Sequence, residues 1–228
     1  MEQRHFDIEL QQLKEKLLLM AARTEELITL SIKSLKTRKK TLANEVFLLD
    51  KTIDQMEIEI EEEAISLIAR HQPAAGDLRF LIGALKINND LERIGDHGVN
   101  IAESAVRLSD QPVLKPLIDI PHMAELATKM LQDSLDSFVN NDPDEARAVC
   151  SRDDQVDDLK DQIFRELLTY MMEKPDTITR AMDLILVSRN LERIADLSTN
   201  ICEETIYIAE AKVIKHHADE AQQHPAAD

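Results

Sequence analysis

The sequence predicts an all-α protein built as two tandem, pseudo-symmetric three-helix bundles of long antiparallel helices. Three observations lead there. The 228 residues include four Gly, seven Pro, no Trp and 3% aromatics, and a chain poor in breakers and rich in Leu, Ile, Ala, Glu and Lys favours helix. The segment 91–103, LERIGDHGVNIAE, returns one hundred residues later at 191–203 as LERIADLSTNICE, with eight of thirteen positions identical. Self-similarity at a fixed period marks a duplicated unit. Short connections between the predicted helices make neighbours antiparallel.

The copy extends upstream. Ala43, Val46, Asp50, Ile53 and Asp54 correspond to Ala146, Val149, Asp153, Val156 and Asp157 at an offset of 103. The offset falls to 100 across the connections that hold Pro73 and Pro175, a place where a length change is expected because loops tolerate insertions.

The elements follow in order. A first helix is expected from about Phe6 to Leu35. A second, from about Leu42 to Arg70, carries Val46, Leu49, Ile53, Met56, Ile60, Ala64 and Leu67 at three-four spacing, the signature of one buried helical face. The stretch His71 to Gly76, with Pro73, ends it. Asp77 suits the first turn of a third helix that reaches about Leu108. The proline-bearing segment 109–121 joins the halves. A fourth helix runs to about Val139 and stops at Asn140-Asn141-Asp142-Pro143. Asp142 as cap and Pro143 at the first helical position start a fifth, expected to be continuous as far as Lys174-Pro175-Asp176. The sixth runs to about Ile214. The two bundles are thus expected over residues 6–108 and 117–215, with 216–228 a polar, flexible tail. Helices of about 30 residues reach roughly 45 Å.

The chemistry concentrates on carboxylates. On the third helix Ile87, Leu91, Ile94, Gly98, Ile101 and Ala105 form one stripe, and Glu92, Asp96, Asn100 and Glu103 lie on the other side. The sixth helix repeats this with Glu192, Asp196, Asn200 and Glu203. Asp50 and Asp54 flank the apolar stripe of the second helix one turn apart, as Asp153 and Asp157 do on the fifth. Each bundle therefore carries two acid-xxx-Asp pairs on adjacent antiparallel helices, and the pairs converge if those faces meet. Like charges at i,i+4 destabilise a helix by a few tenths of a kcal/mol, so four repeats of the arrangement call for compensation. Two kinds are open: pairing with Arg79, Arg93, Arg180 or Arg193, or ligation of cations, since all-oxygen sites suit hard metals. The expected cofactors are divalent or ferric ions, and the sequence does not distinguish Fe, Mn, Mg, Ca and Zn. Asp50, Asp54, Glu92, Asp96, Asp153, Asp157, Glu192 and Asp196 are the ligand candidates; Asn100, Glu103, Asn200 and Glu203 form a second tier.

Other signals are weaker. His97 has Leu197 at its repeat position, which excludes a symmetric ligand role and makes it a spare polar surface residue. There is no Gly-rich phosphate loop, Ser/His/Asp grouping or HExxH. Glu-x-x-His, which builds di-iron sites in helical bundles, is absent at the site-bearing positions. Net charge is −17, which disfavours nucleic acid and anionic lipid and favours cations and basic protein surfaces. Cys150 and Cys202 are isolated, as expected in a reducing compartment. The start lacks a signal-peptide core, and the apolar run 17–22 is too short to span a bilayer. The expected location is the cytoplasm, with no direct membrane insertion and peripheral attachment only through partners.

The string Gln72-Pro73-Ala74-Ala75-Gly76-Asp77-Leu78-Arg79, followed by Leu91-Glu92-Arg93-Ile94-Gly95-Asp96 and Asn100-Ile101-Ala102-Glu103, resembles the PhoU family of accessory regulators of high-affinity phosphate transport. The second copy, 191–203, resembles the family's C-terminal repeat, and the likeness spans about residues 10–215. Gly76 and the divergent fourth helix depart from the family pattern, and neither touches the acid motifs. The resemblance implies two similar three-helix bundles and metal ions on the acid-xxx-Asp motifs, which here are the eight carboxylates named above. It also implies negative regulation of the phosphate-starvation response, linking the ATPase subunit of a phosphate ABC transporter to a sensor histidine kinase, and a homodimer. The leading expectation is thus an adaptor without catalytic turnover. A carboxylate-bridged metal-dependent enzyme and a metal-independent helical scaffold are the alternatives.

Overall fold

The computed structural model describes residues 2–212. Its helices are α1 (Glu2–Thr37), α2 (Lys40–His71), α3 (Ala75–Ser109), α4 (Asp119–Asn140), α5 (Pro143–Cys150), α6 (Asp153–Glu173) and α7 (Ile178–Glu210), with a 3-10 turn at Pro175–Thr177. No strand occurs among the described residues. Helices α1, α2 and α3 pack on one another, and α4, α5 and α6 all pack on α7. The expected tail 216–228 and the last residues assigned to the second bundle lie outside the described residues.

The connections use left-handed residues and prolines as the sequence suggests. Arg38 (φ 58°) turns α1 into α2, and its guanidinium donates to the carbonyls of Leu108 and Ser109 at 2.6 and 3.0 Å. That contact adds to the closure of α3, whose Leu108 carbonyl also accepts from the Gln111 N–H at 3.1 Å. Gln72 (φ 46°) ends α2 with its N–H on the Ile68 carbonyl. Asp142 caps α5, accepting from the backbone N–H of Asp144 and Glu145, both at 3.0 Å. The change of offset from 103 to 100 has a structural form: the second copy holds the 3-10 turn where the first already has the opening turn of α3.

Two expected helix bounds need correction. The fifth helix is not continuous. It breaks after Cys150, where the Arg152 N–H bonds the Val149 carbonyl at 2.9 Å in a tightened turn, and the Arg152 guanidinium reaches Asp133 of α4 at 2.7 Å. Helix α6 then starts afresh with Asp153 and Asp154 in its first turn. Nor does α7 reach Ile214: Ala211 (φ 56°) closes it with its N–H on the Tyr207 carbonyl.

The two halves are not independent. The seam between α3 and α7 is the most extensive helix contact among the described residues. It runs antiparallel, with Lys86 Nζ on Glu204 at 2.9 Å, His97 Nδ1 against Asn190 Oδ1 at 2.9 Å, and Arg107 Nε on Asp183 at 2.7 Å. His97 is therefore not a spare surface residue. At the same seam an added Cβ on Gly83 would lie 2.5 Å from Ile208 Cδ1. The core is mainly aliphatic, from Leu13, Leu17 and Leu27 on α1 to Leu191, Ile194 and Ile201 on α7.

Candidate metal centre

Fold geometry brings the first set of acids together. Apolar Ile53 and Ile94 point inward at 0% exposure, which leaves Asp50 and Asp54 of α2, and Glu92 and Asp96 of α3, along the edge of the α2–α3 contact. Asp50 faces the backbone of α3 closely: a Cβ built on Gly95 would stand 3.7 Å from its Oδ1. Burial first, then the charges of Asp54 and Asp96, push the Asp50 carboxyl up to about 6. Glu92 is also pushed up by burial, and then by Asp96, Asp54, Glu57 and Asp50 in that order. A fifth carboxylate, Glu57, is thus part of the cluster. Among the described residues no Lys, Arg or His forms an ion pair with any of the five. Arg93 turns instead to Asp90 at 3.6 Å.

The second set converges in the same way but is not left as bare carboxylate. Burial, Asp196, Asp157, Asp154 and Glu192 push Asp153 up to about 6. Asp196 is raised by burial and Glu192 and is partly relieved by Arg193. Lys160 Nζ stands between the two helices, 2.7 Å from Asp157 Oδ1 and 3.4 Å from Glu192 Oε1. Arg193 lies 2.9 Å from Asp196 and 3.6 Å from Glu192.

Of the four arginines considered as counter-charges, only Arg193 meets cluster acids. Arg180 bonds Asp176 and the Pro112 carbonyl, and the Arg79 Nε is buried without a partner. The second tier does not join the clusters uniformly. Asn100 and Glu103 line a cleft of about 450 Å3 between α3 and α7, with Glu103 3.7 Å from Arg107. Glu203 lies beside the Cys150 thiol, and Asn200 is half-buried. Sequence reasoning missed Glu57 and Lys160. The signal was present: both stand three residues after the second Asp of the pair, at the same offset of 103.

As they stand, no three acidic, His or Cys side chains among the described residues gather around one point. The fit to a metal is therefore one of donor chemistry and charge. The first cluster offers only oxygen donors, crowded and without a cation, as a hard ion requires. The second differs in holding a lysine ammonium, Lys160, between Asp157 and Glu192.

The crowding has a consequence for stability. A carboxyl raised from 3.8 to about 6 on folding favours the fold while protonated. That contribution is complete below the unfolded value and is lost as pH rises through the folded one. In cation-free buffer Asp50→Asn should therefore melt higher than the parent at pH 7 and equally near pH 4. Asp50 is only partly buried, so solvent screening reduces the effect to about 1 kcal/mol, or about 2–4 °C in a chain of this size. Thermal melts across pH 4–7 measure it; parallel curves for the two proteins would contradict it.

Comparison with known proteins agrees with this architecture. The family model described as PhoU domain matches twice, over residues 17–105 and 120–205. The chain is 44% identical over 208 residues to the phosphate-specific transport system accessory protein PhoU homolog of Aquifex aeolicus, covering 91% of this chain and 94% of that one. It is similar to the crystal structure of PhoU from Pseudomonas aeruginosa, with TM-score 0.89, 37% identity, and coverage of 91% of this chain and 100% of the other. The phosphate transport system regulatory protein PhoU from Streptococcus pneumoniae superposes with TM-score 0.86 at 27% identity, covering 92% and 99%.

Proposed function

Because the chain belongs to the PhoU family, we propose that it is an accessory regulator of phosphate transport that works as an adaptor. In this reading it restrains phosphate uptake and the phosphate-starvation response by binding the ATPase subunit of a phosphate transporter and a sensor histidine kinase. It acts by occupying partner surfaces, at the membrane only through those partners and in the cytoplasm otherwise, and a homodimer is the expected form. The observation that carries the reading is the match of nearly the whole chain to phosphate-specific accessory proteins, over 91% of its length. The surface supports it. Phe164, Met171, Met182 and Ile185 line an open groove between α6 and α7, rimmed by Lys160 and Arg193, and an exposed apolar patch with a polar rim suits protein contact. No helix among the described residues is long and apolar enough to cross a membrane.

A divalent or ferric ion fits the donor set of Asp50, Asp54, Glu57, Glu92 and Asp96. Bound there, it would supply charge neutralisation and hold α2 to α3. Asp50, Asp54 and Glu57 on α2, with Glu92 and Asp96 on α3, are the residues that would hold it.

The test is a deletion in the host with a reporter for phosphate-starvation genes, beside pull-downs of the purified protein with the transporter ATPase subunit and with the kinase. Loss of the protein should switch the reporter on in abundant phosphate. Binding should weaken as salt rises, because a net charge of −17 steers the protein to basic patches and salt screens that attraction. A deletion strain that still represses in high phosphate would contradict the regulatory role. Failure to bind either partner at low salt would contradict the adaptor mechanism.

A further inference from the structure

We infer that the two acidic clusters have diverged: the first takes cations, whereas Lys160 closes the second as an ion-pair clasp that holds α6 to α7 without metal. The inference rests on the reading of the first cluster as a cation site.

The repeat register makes the comparison direct. Asp50, Asp54 and Glu57 on α2 correspond to Asp153, Asp157 and Lys160 on the other side at one offset of 103. A carboxylate in the first copy is therefore an ammonium in the second. That ammonium reaches acids on both helices, 2.7 Å to Asp157 of α6 and 3.4 Å to Glu192 of α7, which are the same two helix faces a bridging ion would join. Arg193 takes up Asp196 at 2.9 Å, whereas its repeat partner Arg93 is spent on Asp90. Two differences thus act in the same direction.

Their effect on affinity follows from electrostatics. A divalent ion entering the second cluster must displace the lysine head or lie a few ångströms from a like charge. Either raises its dissociation constant by roughly tenfold or more at surface-like dielectric. A cation should therefore fasten α2 to α3 conditionally, while α6 and α7 stay fastened in its absence.

The experiment measures Mn2+ bound per full-length chain by equilibrium dialysis and metal analysis after chelator treatment. Wild type should bind one cluster's complement, and Glu57→Lys should bind at least tenfold more weakly. Lys160→Glu should raise the amount bound about twofold by opening the second cluster to oxygen ligation. Lys160→Met, which removes the ammonium without adding a carboxylate, serves if Lys160→Glu proves unfolded by circular dichroism, and should also gain Mn2+. If wild type binds Mn2+ but neither Lys160 variant gains any, the clasp is wrong and the first-cluster reading stands. If Glu92→Ala with Asp96→Ala leaves half the Mn2+ in place, the second cluster binds in the wild type and the inference is overturned. If wild type binds no Mn2+, the cation reading fails, and this inference with it.

Discussion

Gly98→Val should lower the melting temperature by roughly 5–10 °C, with Gly98→Ala between it and the wild type. Gly98 lies where α3 packs on α1: an added Cβ would lie 2.2 Å from Leu27 Cδ2 and 2.8 Å from Ile28 Cδ1. Both neighbours are 0% exposed, so their methyls have no free space to retreat into, and interiors packed to crystal density transmit the strain. The gain in helix propensity on replacing glycine, about 1 kcal/mol, is smaller than an overpacking cost of about 1–3 kcal/mol. Gly76 supplies the control. It too lies in α3, and nothing stands within 4 Å of an added Cβ there. Gly76→Ala should therefore keep the propensity gain alone and raise the melting temperature by about 2 °C. Equal melting of the Gly98 and Gly76 variants would remove the packing argument. The second copy has Ser198 at the Gly98 position, buried and donating to the Ile194 carbonyl at 2.7 Å, so the space beside α7 already accommodates a Cβ and a hydroxyl.

That contrast shows how far the sequence could be read. The repeat at 91–103 and 191–203 fixes which helices are equivalent, and the three-four spacing of Val46, Ile53, Ile60 and Leu67 fixes the inner face of α2, all of them at most 1% exposed. The break between α5 and α6 left no such mark. Val149, Val156 and Ile163 keep a seven-residue spacing across it, and neither Gly nor Pro occupies 150–153. What the structure shows there is a tertiary contact, Arg152 on Asp133 of α4, which no local pattern records. The α3–α7 seam was hidden for a different reason. It buries polar residues, among them Asp183 at 7% and Glu204 at 1% exposure, which in a hydrophobic pattern read as solvent-facing. That Asp50 and Asp54 share a helix edge with Glu92 and Asp96 was legible from the register. The pairing of Lys160 with Asp157 and Glu192 was not, because it depends on how α6 packs on α7.

The double change Glu92→Ala, Asp96→Ala should separate the two consequences of carboxylate crowding. Without cations these acids are a burden: Asp50 is held up to about 6 by burial, Asp54 and Asp96, and Glu92 is raised by burial and four acidic neighbours. Removing two of the charges should raise the melting temperature in chelator at pH 7 by a few degrees, since like charges near one another destabilise the helices that carry them. With Mn2+ the order should reverse. A ligand that binds only the folded state stabilises it by about 2.7 kcal/mol at a concentration one hundred times its dissociation constant. For a chain of this length that is roughly 5–10 °C, and the double variant should lose all of it, because α3 would contribute no carboxylate to the first cluster. The crossing of the two melting series, variant above wild type in chelator and below it in Mn2+, is the signature of a cation site built from mutually repelling ligands. A wild-type melting temperature that does not move at millimolar Mn2+ would contradict the site. A rise of equal size in wild type and variant would move cation binding to other residues.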